Sequence, residues 1–255
     1  MKKTYLFYIC FTAFFALLFN SYSYAGIIVS PARTELVVDA QSSYTGSYTV
    51  ENDNEAVIEV AVTAEDWNNS PENANVSVKD WLSFSKKTLI LKPHEKTEVK
   101  YTVSAKNYKG SLSAMLSFTF AAVNVQGINL MTSVPIYMTI AGTEKIDYEI
   151  TNVSIEHSRV LQQKDAAVIY TVKNMGNVPL RLKGKISVKK GKKIIYEQEI
   201  AEQSPVYAGL DRTFGDTIKK LPKGKYVLNV SLNGYDKTVE KNIQIRVNKY
   251  GDISF

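Results

Sequence analysis

The chain has 255 residues, with 31 Lys and Arg against 25 Asp and Glu, a formal charge of +6, two histidines and one cysteine. That cysteine, Cys10, lies in an apolar amino-terminal run and is lost with it, which excludes disulfide staples, cysteine nucleophiles and thiolate metal sites from the rest of the chain. What remains, about 230 residues with a charge near +4 once Lys2 and Lys3 are gone, is long enough for two domains that each bury a core.

The first 25 residues read as a signal peptide. Lys2 and Lys3 precede the apolar run 5–19, and Ser23 and Ala25 supply small residues ahead of Gly26. A run of about 15 residues is short for a bilayer span, which needs roughly 20, so an uncleaved anchor is the lesser alternative. More hydrophobic residues follow Cys10 where a lipoprotein would be cleaved. The expected location is the periplasm, with the cell surface or the extracellular space as alternatives, and no span is expected in the mature chain.

From Gly26 onward the apolar pattern has a period of two, which predicts an all-β fold. The extended start 27–38 is the first strand. Tyr44, Gly46, Tyr48 and Val50 alternate along the second, and Ile58, Val60, Val62 and Ala64 along the third. After the 81–91 region comes a turn at Lys92-Pro93-His94-Glu95, then Val99, Tyr101 and Val103. Ala114, Leu116, Phe118 and Phe120 mark the next strand. A long last strand, 128–140, carries Ile128, Leu130, Val134, Ile136, Met138 and Ile140 on its even positions. About seven strands in about 115 residues predict an immunoglobulin-like sandwich, with a barrel as the alternative. The domain is placed at 26–143.

A fresh strand near Tyr148 opens a second immunoglobulin-like sandwich, placed at 144–250 with a tail at 251–255. Val168, Tyr170 and Val172 lead to the turn Asn174-Met175-Gly176-Asn177, and Leu180, Leu182, Gly184, Ile186 and Val188 continue beyond Pro179. Lys190-Gly191-Lys192 reads as a hairpin before residues 194–200. After Leu221-Pro222-Lys223-Gly224-Lys225-Tyr226 the chain enters another strand, and Ile243, Ile245 and Val247 close the domain. Lys183, Lys185, Lys189, Lys190, Lys192 and Lys193 cluster around the hairpin. They are read as solvated lysines protecting a sheet edge, and no nucleic-acid partner is expected.

The residues for catalysis do not form groups. His94 and His157 fall in different domains, and no Gly-rich phosphate loop has a strand-to-helix junction to sit on. Glu65 and Asp66 beside Trp67 leave a carbohydrate contact open, as does Trp81, but an indole packed over the sandwich edge is the commoner outcome. No catalytic residue, metal ligand or cofactor is expected, and the protein is not expected to be an enzyme.

One constellation carries function. Val29-Ser30-Pro31-Ala32-Arg33-Thr34-Glu35-Leu36-Val37-Val38 opens the mature chain, Tyr48-Thr49-Val50-Glu51-Asn52 ends the second strand, a proline turn follows at 92–95, and the last strand is long and alternating. This order resembles the amino-terminal domain of periplasmic pilus-assembly chaperones. The resemblance implies a polypeptide client, such as a pilin-like or secreted subunit, bound by β-strand addition. It places Ile128, Leu130 and Thr132 at the positions inserted into the client and Arg33 at the position that holds the client's terminal carboxylate. Where the family has a second cation, a lysine on the last strand, this sequence has Val134-Pro135, and Pro135 itself points to an exposed edge. The second half looks more like surface immunoglobulin-like modules. An envelope adhesion or scaffolding module is therefore the alternative function, and pairing of two copies through their edge strands stays open.

Overall fold

The computed structural model describes residues 26–67, 70–71, 75–122, 129–157, 165–219, 221–249 and 253–254. The predicted signal segment 1–25 and Ile128 lie outside the described residues. Among those residues there is no α-helix, and a 3₁₀ turn covers Lys79–Trp81.

The first domain has strands β1 (Ile27–Ser30), β2 (Thr34–Val38), β3 (Ser43–Asn52), β4 (Ile58–Asp66), β5 (Leu82–Phe84), β6 (Thr88–Leu91), β7 (Lys96–Ser104), β8 (Ser111–Ala122) and β9 (Leu130–Ile140). They form two sheets, ordered β1-β3-β7-β5 and β2-β9-β8-β4-β6. The alternation in sequence becomes the alternation in burial: Ile58, Val60 and Val62 on β4 and Val99, Tyr101 and Val103 on β7 all point into one core. Phe118, Leu116, Ile136 and Met138 close it from β8 and β9. Each side chain so buried stabilises the fold by about 1.5–3 kcal/mol relative to exposure. The sheets are separate, so the domain is a sandwich and not a barrel.

Two segments predicted as single strands are each divided between the sheets. The start 27–38 breaks at the cis Ser30–Pro31 bond, so β1 pairs antiparallel with β3 while β2 pairs parallel with β9. The 81–91 region breaks at Ser85-Lys86-Lys87, and β5 joins β7 while β6 joins β4. A chain that changes sheets lets one short segment cover both, at the cost of a break in its alternation.

The second domain has β10 (Tyr148–His157), β11 (Ala166–Asn174), β12 (Lys183–Lys190), β13 (Lys193–Ile200), β14 (Asp211–Ile218), β15 (Gly224–Gly234), β16 (Lys237–Val247) and β17 (Ile253–Ser254). Its sheets are β10-β11-β14 and β13-β12-β15-β16-β17, again a sandwich around its own core. Gly191, at φ 58, makes the predicted hairpin turn between β12 and β13. The chain is thus two tandem immunoglobulin-like sandwiches.

A buried asparagine corner recurs in both. Asn52 Nδ2 donates to the carbonyls of Ala56 (2.8 Å), Leu91 (3.1 Å) and Lys92 (2.9 Å), while its Oδ1 accepts from the Asn54 N–H (3.0 Å). Asn174 Nδ2 donates to the carbonyls of Val178 and Val206, both at 2.8 Å, and its Oδ1 accepts from the Gly176 N–H (2.9 Å). The facing turns match as well. His94 N–H donates to Asn52 O and Gly209 N–H to Asn174 O, both residues having positive φ, 58° and 72°. A turn that needs the left-handed region accepts glycine readily and another residue only when the surroundings hold it there.

Candidate functional site

β9 is the strand that carries the candidate residues Leu130 and Thr132. Its even residues bond to β8, as the Ile140 N–H to Gly110 O bond (3.0 Å) shows, so the odd residues direct their backbone groups to the other side. There β2 takes them up, from Ile136 to Ile140 only. From Leu130 to Pro135 the outer side of β9 has no partner strand among the described residues. Met131 and Ser133 therefore each present an outward N–H and C=O. Pro135, which has no N–H, cannot donate there.

Side chains on this stretch leave the core progressively. Val134 is buried, Thr132 is half-buried, and Leu130 is 43% exposed although it shares the core-facing side and sits opposite buried Phe120. Met131, on the other face, is 62% exposed. Two adjacent large apolar side chains on an unpaired edge are what an aggregation-resistant strand avoids unless the edge is used.

Arg33 stands just before β2, beyond the Thr34 and Ile136 pair, at the level of Pro135. Leu130 is five residues from Pro135, about 17 Å along an extended strand. The predicted residues thus lie in a line, with Arg33 at one end of the free edge, Leu130 at the other and Thr132 between.

The arginine end opens onto a cleft between the two domains, of about 360 Å³, lined by Glu35, Val37, Tyr137, Arg181, Glu202 and Tyr235. Arg33 is bound there by two carboxylates, with Nε 3.1 Å from Glu35 and the guanidinium donating to Glu202 at 2.9 Å. Glu35 Oε1 also accepts from Arg181 Nε at 2.8 Å, and the Arg181 guanidinium lies 5.3 Å from the Tyr137 ring centroid. Four charges from the two domains make one chain, Glu202, Arg33, Glu35, Arg181. Arg181 brings a second cation to the cleft, from the second domain instead of the last strand.

Behind it the domains are joined by aromatic rings. Trp67, Tyr137 and Tyr207 form a triangle with centroids 5.6–6.4 Å apart, and the two tyrosine hydroxyls are 3.2 Å from each other. Burial holds the Tyr207 hydroxyl above the usual phenol range, and the neighbouring Tyr137 hydroxyl adds to that. The indole of Trp67 is therefore occupied by the domain contact, and Trp81 is buried in the first core. A backbone latch completes the joint: Asn177 Oδ1 accepts from Lys145 N–H (2.7 Å), its Nδ2 donates to Thr143 O (2.9 Å), and its carbonyl accepts from Ser111 N–H (2.9 Å).

Sequence reasoning did not find Arg181, Glu202 or Tyr207. The signal available was Tyr137, a large ring on the odd face of a strand whose core residues are even. Its burial to 6% shows that the second domain covers that face. His94, in its turn, is 3.3 Å from the Glu55 carboxylate. Among the described residues no three His, Cys, Asp or Glu side chains come together as a metal site, and no helix is long and apolar enough to cross a membrane.

No family model matches the sequence, and no curated protein does. Among solved structures, the chain is similar to the class 5 fimbriae chaperone CfaA, at 12% identity over 85% of this chain and 98% of that one, with a TM-score of 0.49. It is similar to the CupB2 chaperone of Pseudomonas aeruginosa at 8% identity, over 89% and 96% of the two chains, with a TM-score of 0.46. A third is the Salmonella enterica SafA pilin in complex with the SafB chaperone, at 10% identity over 86% and 96%, with a TM-score of 0.44. The likeness is one of fold.

Proposed function

We propose that this chain is a periplasmic, chaperone-like binding protein, without enzymatic activity, that takes a secreted or pilin-like subunit by strand addition along β9. The observation that carries the reading is the unpaired outer edge from Leu130 to Pro135 with Leu130 and Met131 exposed on it. An incoming strand would bond to the outward groups of Met131 and Ser133 and stop at Pro135. Leu130 and Thr132 would supply side chains to a client sandwich that lacks a strand.

In this reading Arg33 receives the client's terminal carboxylate by exchanging it for Glu202. The exchange swaps one carboxylate for another on a pair whose side chains are about half exposed, 47% and 51%, so little net energy opposes it.

The test is recovery of a subunit from a periplasmic extract on the immobilised chain, with Leu130→Asp beside it. The substitution is on an exposed edge and is expected to leave the melting curve in place, while client recovery falls to background. Undiminished recovery by Leu130→Asp would remove the strand from the mechanism. The other reading, an envelope adhesion or scaffolding module, is favoured by the ion network that already pairs Arg33 with Glu35 and Glu202. It calls for the protein on the cell surface, which fractionation decides.

A further inference from the structure

Three stretches of the second domain, distant in sequence, bring cations to one end of it. Lys190, Lys192 and Lys193 come from the β12–β13 hairpin, Lys219 follows β14, Lys225 lies near the start of β15 and Arg246 near the end of β16. The ladder sets Lys190 against Lys193 and Lys225 directly against Arg246. Two hollows connect the stretches, one touching Lys190, Ile195 and Lys219, the other Gly191, Lys225 and Arg246.

Like charges facing each other across a ladder destabilise it. None of these six cations has an ion-pair partner among the described residues. Protection of the β13 edge accounts for lysines on the hairpin, but not for Lys219, Lys225 and Arg246 on other strands of the same end. The hairpin also exposes aliphatic surface where a protective edge would not. Ile194 is 48% and Ile195 38% exposed, and the ladder skips Ile195 at a bulge, a device that re-aims side chains.

We propose that this end of the second domain docks on a membrane surface containing acidic phospholipids. Cations beside exposed aliphatic side chains fit the two layers of such a surface, the charges at the headgroups and the isoleucines at the acyl boundary. A single-stranded nucleic acid would need exposed rings to stack on. Here Tyr226 is 4% exposed and Tyr196 is half-buried. The surface is on the other domain from the free edge of β9, so it stands or falls separately from the strand-addition reading.

The experiment uses the chain from Gly26 onward, which contains both cores, sedimented with phosphatidylcholine vesicles with or without phosphatidylglycerol. Binding is expected only with phosphatidylglycerol, and it weakens as salt shortens the Debye length. Each lysine near an acidic surface is worth roughly fivefold in affinity, so Lys192→Gln with Lys193→Gln weakens binding about 25-fold. Lys219→Gln with Lys225→Gln, from different strands, does the same, while Leu130→Asp changes nothing. No binding to acidic vesicles, equal binding to neutral ones, unchanged affinity in both lysine pairs, or preference for DNA over vesicles would each overturn the proposal.

Discussion

Replacing Asn52 or Asn174 by alanine removes the hydrogen bonds that hold the corner of one domain. Asn52 and Asn174 are both completely buried. In Asn52→Ala the Asn54 N–H and the Asn54 Nδ2 lose their buried acceptor, while the Leu91 carbonyl keeps its place opposite Ile58 in the β4–β6 ladder and the partly buried carbonyls of Ala56 and Lys92 can turn to water. In Asn174→Ala the Val178 carbonyl and the Gly176 N–H lose a buried partner, whereas the Val206 carbonyl keeps the Leu180 N–H at 2.9 Å. Each corner thus leaves two buried groups unpaired at about 1–3 kcal/mol apiece, or about 4 kcal/mol in total. That is a large part of a domain's stability and corresponds to a fall in melting temperature of about 15 °C. Urea unfolding with hydrogen exchange would locate the loss, in β3 and β7 for Asn52→Ala and in β11 and β14 for Asn174→Ala. Asn52→Asp is the control, since it keeps the shape and the acceptor but cannot donate, and it should be no better than alanine. A loss below about 1 kcal/mol in the alanine variants, or an aspartate variant as stable as the parent, would refute the claim that the hydrogen bonds of this amide hold the corner.

Gly110 has φ 89, and a Cβ there would stand 2.4 Å from the Asn177 carbonyl across the joint. Gly110→Ala should therefore part the domains and change the emission of Trp67 and the radius of gyration. Unchanged scattering and emission would count against the joint as drawn. Burial, eased by the Thr34 hydrogen bond, pushes the Tyr48 hydroxyl up from 10.0 to about 12. Because the folded value is the higher one, the stability it contributes is present below pH 10 and lost as pH rises through about 12. Tyr48→Phe gives up the 2.6 Å bond to Thr34, about 1 kcal/mol at neutral pH. Its deficit against the parent should shrink between pH 10 and 12 in urea titrations, and a constant deficit would contradict the burial argument. Arg33→Ala removes two exposed pairs and should cost the fold less than about 1 kcal/mol. Under the strand-addition reading it nevertheless lowers client recovery, and full recovery would take Arg33 out of the site.

The sandwiches were legible because their cores are written in alternation. Val168, Tyr170 and Val172, or Ile58, Val60 and Val62, can face only one way once the strand is drawn. The changes of sheet at Ser30–Pro31 and at 85–87 were not legible, because a short strand reads the same whichever sheet it joins. β14 was missed for a related reason: only Phe214 and Ile218 of its eight residues are buried. The matching corners of Asn52 and Asn174 were hidden because the bonds go mostly to backbone carbonyls, which any residue can supply. One turn uses His94 where the other uses Gly209. Of the candidate site, Arg33, Leu130 and Thr132 could be placed on their strands from sequence. The Glu202 carboxylate bound to Arg33 could not, since it is 169 residues away.

The change of sheet at the first strand also determines how much of β9 is free. β2 pairs in parallel register, Thr34 with Ile136 through Val38 with Ile140. Continued backward without a break, that register would set Arg33 against Pro135 and Ile28 against Leu130, covering the whole edge. Instead Ile28 pairs with Glu51 in the opposite sheet, and the six residues from 28 to 33 leave six residues of β9, 130 to 135, without a paired strand on that side among the described residues. A first strand that stayed in one sheet would have covered β9 along its whole length and become the sheet's edge itself. By crossing, it buries Ile27 and Val29 in the core and places Arg33 where the free edge begins. The length of the open edge, its limit at Pro135 and the position of the arginine thus follow from one break in the chain.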